Sequence, residues 1–323
     1  MIPNTDFPKI SIITPCYRRD RLKDVVELID SIQAQAYRNI NTIVVTERSL
    51  ALKDSIEAYV KKKGYSDVMV LHNEGEWGSY LGIKEARGKI IAFVDDDALL
   101  FPNWAEETVK AYAADSSIIG LTGPILPLWE RDSMAWFPKE FYWIFSCTYW
   151  DWSERTEVRN GYATNLSFRR EAFNTCGLFK TSLEAGGRGK SDWQQPGAEE
   201  TEFCLRVKQK TGKRIIYSPE VKVKHKVYDY RLTTKFIAKR AYWEGRAKVI
   251  LNKLYRSSDG TVLSTEYELL RRIFPKLLPG SLKLLFRQPI VTLRQWWVTL
   301  LVIVCVAFGY LSGALRISHP SEE

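Results

Sequence analysis

Apolar and polar positions alternate in blocks through the first 120 residues. KISIITP (9–15) is a short β-branched run that stops at Pro15, and it predicts a strand. Over residues 20–33 the apolar positions Leu22, Val25, Ile29 and Ile32 fall on one helical face. NTIVVTE (41–47) predicts a second strand, 51–62 a helix, VMVL (68–71) a third strand, 78–87 a helix and KIIAFV (89–94) a fourth strand. Strands separated by helices imply an α/β chain with a mostly parallel, doubly wound sheet. Ligands of such sheets bind beyond the carboxyl ends of the strands.

Further along, the pattern changes. Residues 126–160 hold five tryptophans at irregular spacing, with Phe141, Tyr142, Phe145 and Tyr149 among them. Two readings stand side by side: a core excursion, or an aromatic surface for sugar rings or membrane. SLEAGGRGKSDWQQPGA (182–198) predicts a long polar loop. Residues 233–255 read as a basic helix, and 262–287 as a broken amphipathic stretch suited to an anionic membrane surface. QWWVTLLVIVCVAFGYLSGAL (295–315) contains no charge. As a helix it would be about 32 Å long, enough to span a bilayer core. The expected organisation is a catalytic domain over 1–230, basic juxtamembrane helices over 231–294, a transmembrane helix over 295–315 and a short tail over 316–323.

Charge sharpens that division. The net charge of +9 is local: residues 231–294 carry 14 Lys and Arg against 4 Asp and Glu, while residues 1–230 are balanced. The basic block precedes the apolar run, so the positive-inside rule leaves the large domain in the cytoplasm of a single-pass membrane protein. Five cysteines without CxxC spacing argue against a disulfide framework and for a reducing compartment. MIPNTDFPKI has neither a basic head nor an apolar core, so no signal peptide is expected. There is no GxxxxGK[ST] loop and no GxGxxG.

The candidate chemistry begins where the fourth strand ends, in Asp95, Asp96 and Asp97. Three adjacent carboxylates repel one another, and a hard divalent cation, Mn2+ or Mg2+, would neutralise them while binding a diphosphate. A helix N-terminus would account for one of them. PGAEETEFCLRVKQKTGKRIIYSPEVKVKH (196–225) adds Glu199 and Glu200, a helix, a glycine turn, a strand and His225. A histidine at a strand end is, on its own, as readily a hydrogen-bonded structural residue as a ligand.

Six segments in order carry a resemblance: IITPCYRR (12–19), VVTERS (44–49), FVDDD (93–97), NLSFRREAF (165–173), GAEETEFCLR (197–206) and YSPEVKVKH (217–225). Together they resemble glycosyltransferase family 2, inverting enzymes of the GT-A fold, over residues 9–230. The resemblance implies nucleotide contacts at Pro15, Tyr17, Glu47, Asp95 and Asp96, a metal held by Asp95, Asp97 and His225, and a catalytic base at Glu200 beside Glu199. It also implies a nucleotide-sugar donor, a UDP-sugar. The apolar run and basic block add a membrane and a lipid-linked acceptor, a polyprenyl or dolichyl phosphate glycan, as in archaeal enzymes that extend dolichol-linked glycans and bacterial enzymes of surface polysaccharide assembly. No nucleic-acid partner is expected.

The chain departs from the family pattern in three places. Thr46 and Glu47 stand where paired aspartates are common, Ser79 and Tyr80 where many members carry Arg-Asn, and Glu200 where Asp is usual. Downstream, Arg240 and Trp243 share a helical face, suited either to lipid docking or to holding a phosphate. Two other classes fit parts of the pattern. A sugar nucleotidyltransferase would show a glycine-rich first loop, which IITPCYRR lacks. A non-enzymatic membrane-tethered phosphate-binding module would leave the carboxylates unexplained.

Overall fold

The computed structural model describes residues 8–74, 78–180, 198–255, 269, 271, 273 and 285–318. The loop expected over 182–198 and the amphipathic stretch over 262–287 lie largely outside these residues. The chain divides into two compact units. The first comprises Met1–Leu128, Ser146–Thr181 and Glu200–Lys226, and the second Trp129–Phe145, Ser182–Glu199 and Val227–Glu323.

The first unit is built on an eight-stranded sheet. Strands β1 (Ile10–Cys16), β2 (Ile40–Glu47), β3 (Val68–Asn73) and β4 (Ile90–Phe93) are parallel and lie in the order β3-β2-β1-β4. Helices α1 (Leu22–Gln33), α2 (Leu50–Lys63) and α3 (Gly78–Glu85) connect them. These are the elements that the apolar spacing predicts. Helix α1 buries Val25, Leu28, Ile29 and Ile32, one face at a period near 3.6. Helix α2 is capped by Ser49, whose side chain accepts from the Leu52 amide, and ends at Gly64 in the left-handed region (φ 69°), which glycine enters without a Cβ clash.

After β4 the chain forms β5 (Ala98–Leu100), α4 (Trp104–Ala114) and β6 (Ile118–Thr122). Strand β7 (Ile125–Trp129) follows, then β8 (Thr156–Glu157), β9 (Leu166–Arg169) and α5 (Arg170–Cys176). Strand β9 inserts antiparallel between β4 and β6. Helix α6 (Glu199–Thr211) leads to β10 (Arg214–Tyr217), parallel to β6, and β11 (Val223–Val227). Strands β5, β11 and β7 make a separate three-stranded sheet.

Much of the NLSFRR segment holds this sheet together. Asn165 accepts from Trp104 Nε1 (2.8 Å) and donates to the Val221 carbonyl (2.7 Å), inside a shell where both Trp104 and Asn165 are buried. Arg169 donates to the carbonyls of Ile118, Tyr112 and Asp115, and Arg170 to those of Gly88 and Ala86. The sequence that resembles a family motif thus acts here as backbone staples.

An aromatic cluster fixes α6. Phe203 stacks on Phe173 (4.9 Å between centroids, 19°) and meets Phe168 and Phe179 edge-on or tilted. Arg206, one turn on, donates to the Cys176 and Leu178 carbonyls and pairs with the fully buried Glu202 (2.9 Å), which Lys180 also reaches (3.0 Å). These contacts hold the end of α5 and the start of α6 to one core.

The aromatic segment 126–160 is shared between the units. In the first, Trp150 and Trp152 stack (5.0 Å, 12°) against Tyr217. In the second, Phe137, Phe141 and Phe145 are buried, with Trp129 packed edge-on to Tyr142 and Phe145. The core reading of this segment is the one the packing supports.

The second unit also contains α7 (Thr234–Leu254) and α8 (Pro289–Ser318). Among the described residues, α8 is the one helix long and apolar enough to cross a membrane.

Replacing Asn165 by Ala leaves the Trp104 indole N–H and the Val221 carbonyl buried without their partner. Each such loss costs about 1–3 kcal/mol. Asn165→Ala should lower unfolding free energy by roughly 2–4 kcal/mol in urea titration, with native circular dichroism retained. A loss below roughly 0.5 kcal/mol would contradict the staple role.

Candidate functional site

The site lies where parallel strands end. In register, Pro15 is beside Val45 and Cys16 beside Thr46, so the carboxyl ends of β1 and β2 are neighbours. Strand β4 flanks β1 on its other side and runs directly into Asp95. Pro15 is half-buried, Tyr17 is exposed (48%) and Glu47 is buried (3%). Three of the five expected nucleotide contacts, Pro15, Tyr17 and Glu47, therefore sit at the ends of β1 and β2, and the other two, Asp95 and Asp96, follow the neighbouring strand β4. Thr46 is occupied structurally: its hydroxyl donates to the Leu71 carbonyl (3.1 Å).

Asp97 caps no helix. It enters β5, and β5 pairs antiparallel with β11 so that His225 is opposite Ala98. That register brings His225 Nε2 to 2.8 Å from Asp97 Oδ1, across 128 residues of chain. Asp97 Oδ2 accepts from Arg21 Nη1 (2.9 Å), and Arg21 also pairs with Asp24 (3.1 Å). Lys226 pairs with Asp24 (2.8 Å) and with Glu27. Asp95 stands to one side and accepts from the Thr164 hydroxyl at 2.5 Å.

Charge alternates along this chain of contacts: His225, Asp97, Arg21, Asp24, Lys226, Glu27. With an imidazolium it has three cations and three anions, and Asp97, His225, Arg21 and Asp24 are all buried. Pairing is the condition on which buried charges persist. Burial alone would depress the His225 pKa, but the charge and hydrogen bond of Asp97 outweigh it and raise the pKa to about 10. Asp96 goes the other way for a carboxylate: burial first, then the Asp97 charge, raise it to about 7. Burial and Asp96 together push the Cys16 thiol up.

The donor atoms of Asp95, Asp97 and His225 lie within 4.8 Å of one another. Two carboxylates and an imidazole at that separation could hold a divalent cation such as Mn2+ or Mg2+. A metal would take the His225 nitrogen in its neutral form, in place of the proton it shares with Asp97.

Glu200 and Glu199 occupy the first turn of α6, both partly buried. The Phe203 cluster and the Arg206 clamp set the position of that turn. Tyr80, one of the departures from the family pattern, donates its hydroxyl to the Phe179 carbonyl. Sequence reasoning missed Arg21, Asp24, Lys226 and Thr164. The signal available was a cluster of charges around the first strand–helix turn, RRDRLKD, in a stretch that otherwise reads as solvated.

A family model described as glycosyl transferase family 2 matches residues 11–177. The glucosyl-dolichyl phosphate glucuronosyltransferase of Haloferax volcanii is 29% identical over 315 residues, covering 95% of this chain and 96% of its own. Mannosyltransferase PcManGT from Pyrobaculum calidifontis, solved in complex with GDP-Man and Mn2+, matches with a TM-score of 0.62 at 16% identity, over 95% of this chain and 88% of its own. GalNAc-T7, solved with UDP, GalNAc and Mn2+, matches with a TM-score of 0.54 at 13% identity, over 86% of this chain and 58% of its own. The structural likenesses establish the fold, GT-A.

The imidazolium gives the metal-free protein a pH signature. Its pKa is raised from 6.5 unfolded to about 10 folded, so the pair's contribution is full below 6.5 and is lost as pH rises through the folded value. Denaturation midpoints in chelator should fall between neutral pH and pH 10, and Asp97→Asn should flatten that part of the slope. Equal slopes in the two proteins would remove the ion pair from the account.

Proposed function

The chain belongs to glycosyl transferase family 2, and we propose that it is an inverting, metal-dependent enzyme. It moves a sugar from a UDP-sugar to a lipid-linked acceptor, a dolichyl or polyprenyl phosphate glycan, at the cytoplasmic face of a membrane. The observation that carries this reading is the convergence of Asp95 and Asp97, between β4 and β5, with His225 on β11.

Each residue has a task in that reaction. Pro15, Tyr17 and Glu47 line the edge that receives the nucleoside, with Asp95 and Asp96 next to them. Asp95, Asp97 and His225 hold the cation. When bound, the cation supplies positive charge to the departing nucleoside diphosphate. Arg21 orients Asp97 through a buried hydrogen bond of 2.9 Å. Glu200, with Glu199 beside it, takes the proton of the acceptor hydroxyl. The acceptor oxygen then bonds to the anomeric carbon as the carbon–oxygen bond to the diphosphate breaks on the opposite face, which inverts the configuration.

The acceptor assignment is supported by the Haloferax volcanii relative, whose name specifies a dolichyl phosphate substrate and whose length this chain matches nearly end to end. It is supported also by α8, an apolar helix suited to keeping the enzyme at a membrane.

Calorimetric titration of detergent-solubilised protein with UDP, in parallel with GDP, tests the donor and metal together. UDP should bind measurably only with Mn2+ or Mg2+ present, and Asp97→Ala should abolish that binding. Glu200→Gln should retain nucleotide affinity and lose roughly 10²–10⁴-fold in transfer to membrane lipid extract. Binding that ignores the metal would refute its proposed role, and full activity in Glu200→Gln would move the base elsewhere.

A further inference from the structure

Helix α8 has two faces, although its composition is apolar throughout. Thr292, Val298, Val302, Gly309 and Gly313 are buried. Large apolar side chains recur every three or four residues on the other side from Ile290 to Leu315, Trp297, Leu300, Val304 and Phe308 among them, each more than half exposed. The two stripes persist for the whole helix. The covered face runs from Thr292 to Gly313, about 32 Å at 1.5 Å per residue, which is the thickness of a bilayer core.

What covers it matters. Near the start, Gln295 donates to the Trp136 carbonyl (2.8 Å) and Arg294 lies over the Trp136 ring (5.8 Å). From Val306 onward the cover is α7. A Cβ on Gly309 would sit 1.9 Å from the Tyr242 carbonyl oxygen, and one on Gly245 2.1 Å from that of Val306. Val249 meets Gly313, and Ser312 bonds the Tyr242 hydroxyl (3.1 Å). The contacts advance together along both helices, Tyr242 to Gly309 and Val249 to Gly313, so α7 runs beside α8 rather than crossing it at a point.

Helix α7 carries Glu244, Arg246 and Lys248 in this stretch, and Lys235, Lys239 and Arg240 in the two turns before it. If α8 traversed a bilayer, α7 would be drawn into hydrocarbon with it. Charged side chains at that depth are rare and expensive, and six on one helix are more than a bilayer core tolerates.

We propose that α8 is a monotopic anchor. It lies in the plane of one leaflet, at the headgroup–acyl boundary, with its exposed stripe in lipid and its covered face on α7 and the Trp136 segment. The occupant of the stripe is a lipid surface rather than a second copy of the chain. The exposed Arg287 and Arg294 and the basic α7 beside it match anionic headgroups. A continuous apolar stripe of this length exceeds what a soluble monomer leaves open. This docking does not depend on the transferase reading, and protein that bound no nucleotide would still show it.

The first test is topology of the full chain carrying an epitope tag at each end, expressed in cells and probed with protease in right-side-out and inverted vesicles. Both tags should be cut from the same side, and cutting from opposite sides overturns the proposal. The second is depth. Spin labels at positions 293, 300, 308 and 315, in a Cys305→Ser background and in vesicles of phosphatidylglycerol and phosphatidylcholine, should report one common depth. Shallow ends with a deep centre would mean a crossing helix. Leu300→Glu with Phe308→Glu should weaken vesicle partitioning at least tenfold while nucleotide binding persists. Unchanged partitioning, with the stripe protected in a dimer instead, would also overturn it.

Discussion

The first unit depends on keeping buried negative charge at the end of β4. Asp97 is almost fully buried, and Asp96 beside it is pushed to about 7 by burial and by that neighbour. The fold meets this constraint by bringing cations from both ends of the unit: Arg21 from the turn before α1, and His225 and Lys226 from β11. Strand β11 therefore has a purpose that its five residues do not advertise. Its pairing with β5 is what lets residue 225 reach residue 97. Removing one partner from such a network leaves a buried charge uncompensated, at about 3–5 kcal/mol.

The sheet was legible in the sequence because its signals are local. Strands β1, β2 and β4 are short β-branched runs, and α1 repeats its apolar residues on one face. The acidic run was legible because three adjacent carboxylates conflict with any simple element. The network around them was not, since Lys226 meets Asp24 across 202 residues and no spacing records that contact. NLSFRREAF shows the opposite limit. The motif points to the family, yet Asn165, Arg169 and Arg170 spend their hydrogen bonds on main-chain carbonyls and a tryptophan.

Composition also hid the asymmetry of α8. Its covered face is made of Gly, Val and Thr, which score as apolar, so the uncharged run reads as uniform. Glycines stand where the backbones of α7 and α8 approach, and the large side chains Trp297, Leu300 and Phe308 stand exposed. A single charge at bilayer centre costs about 2.5–3.5 kcal/mol on insertion scales. The charges of α7 thus weigh more heavily against burial of α8 in hydrocarbon than the length of α8 weighs for it.

The clamp at Arg206 has a further consequence. By gripping the carbonyls of Cys176 and Leu178 while belonging to α6, it fixes the distance between the two points from which residues 181–197 depart. Glu199 and Glu200 thus stand on a turn whose place is set by α5 and its aromatic core rather than by the chain immediately before it.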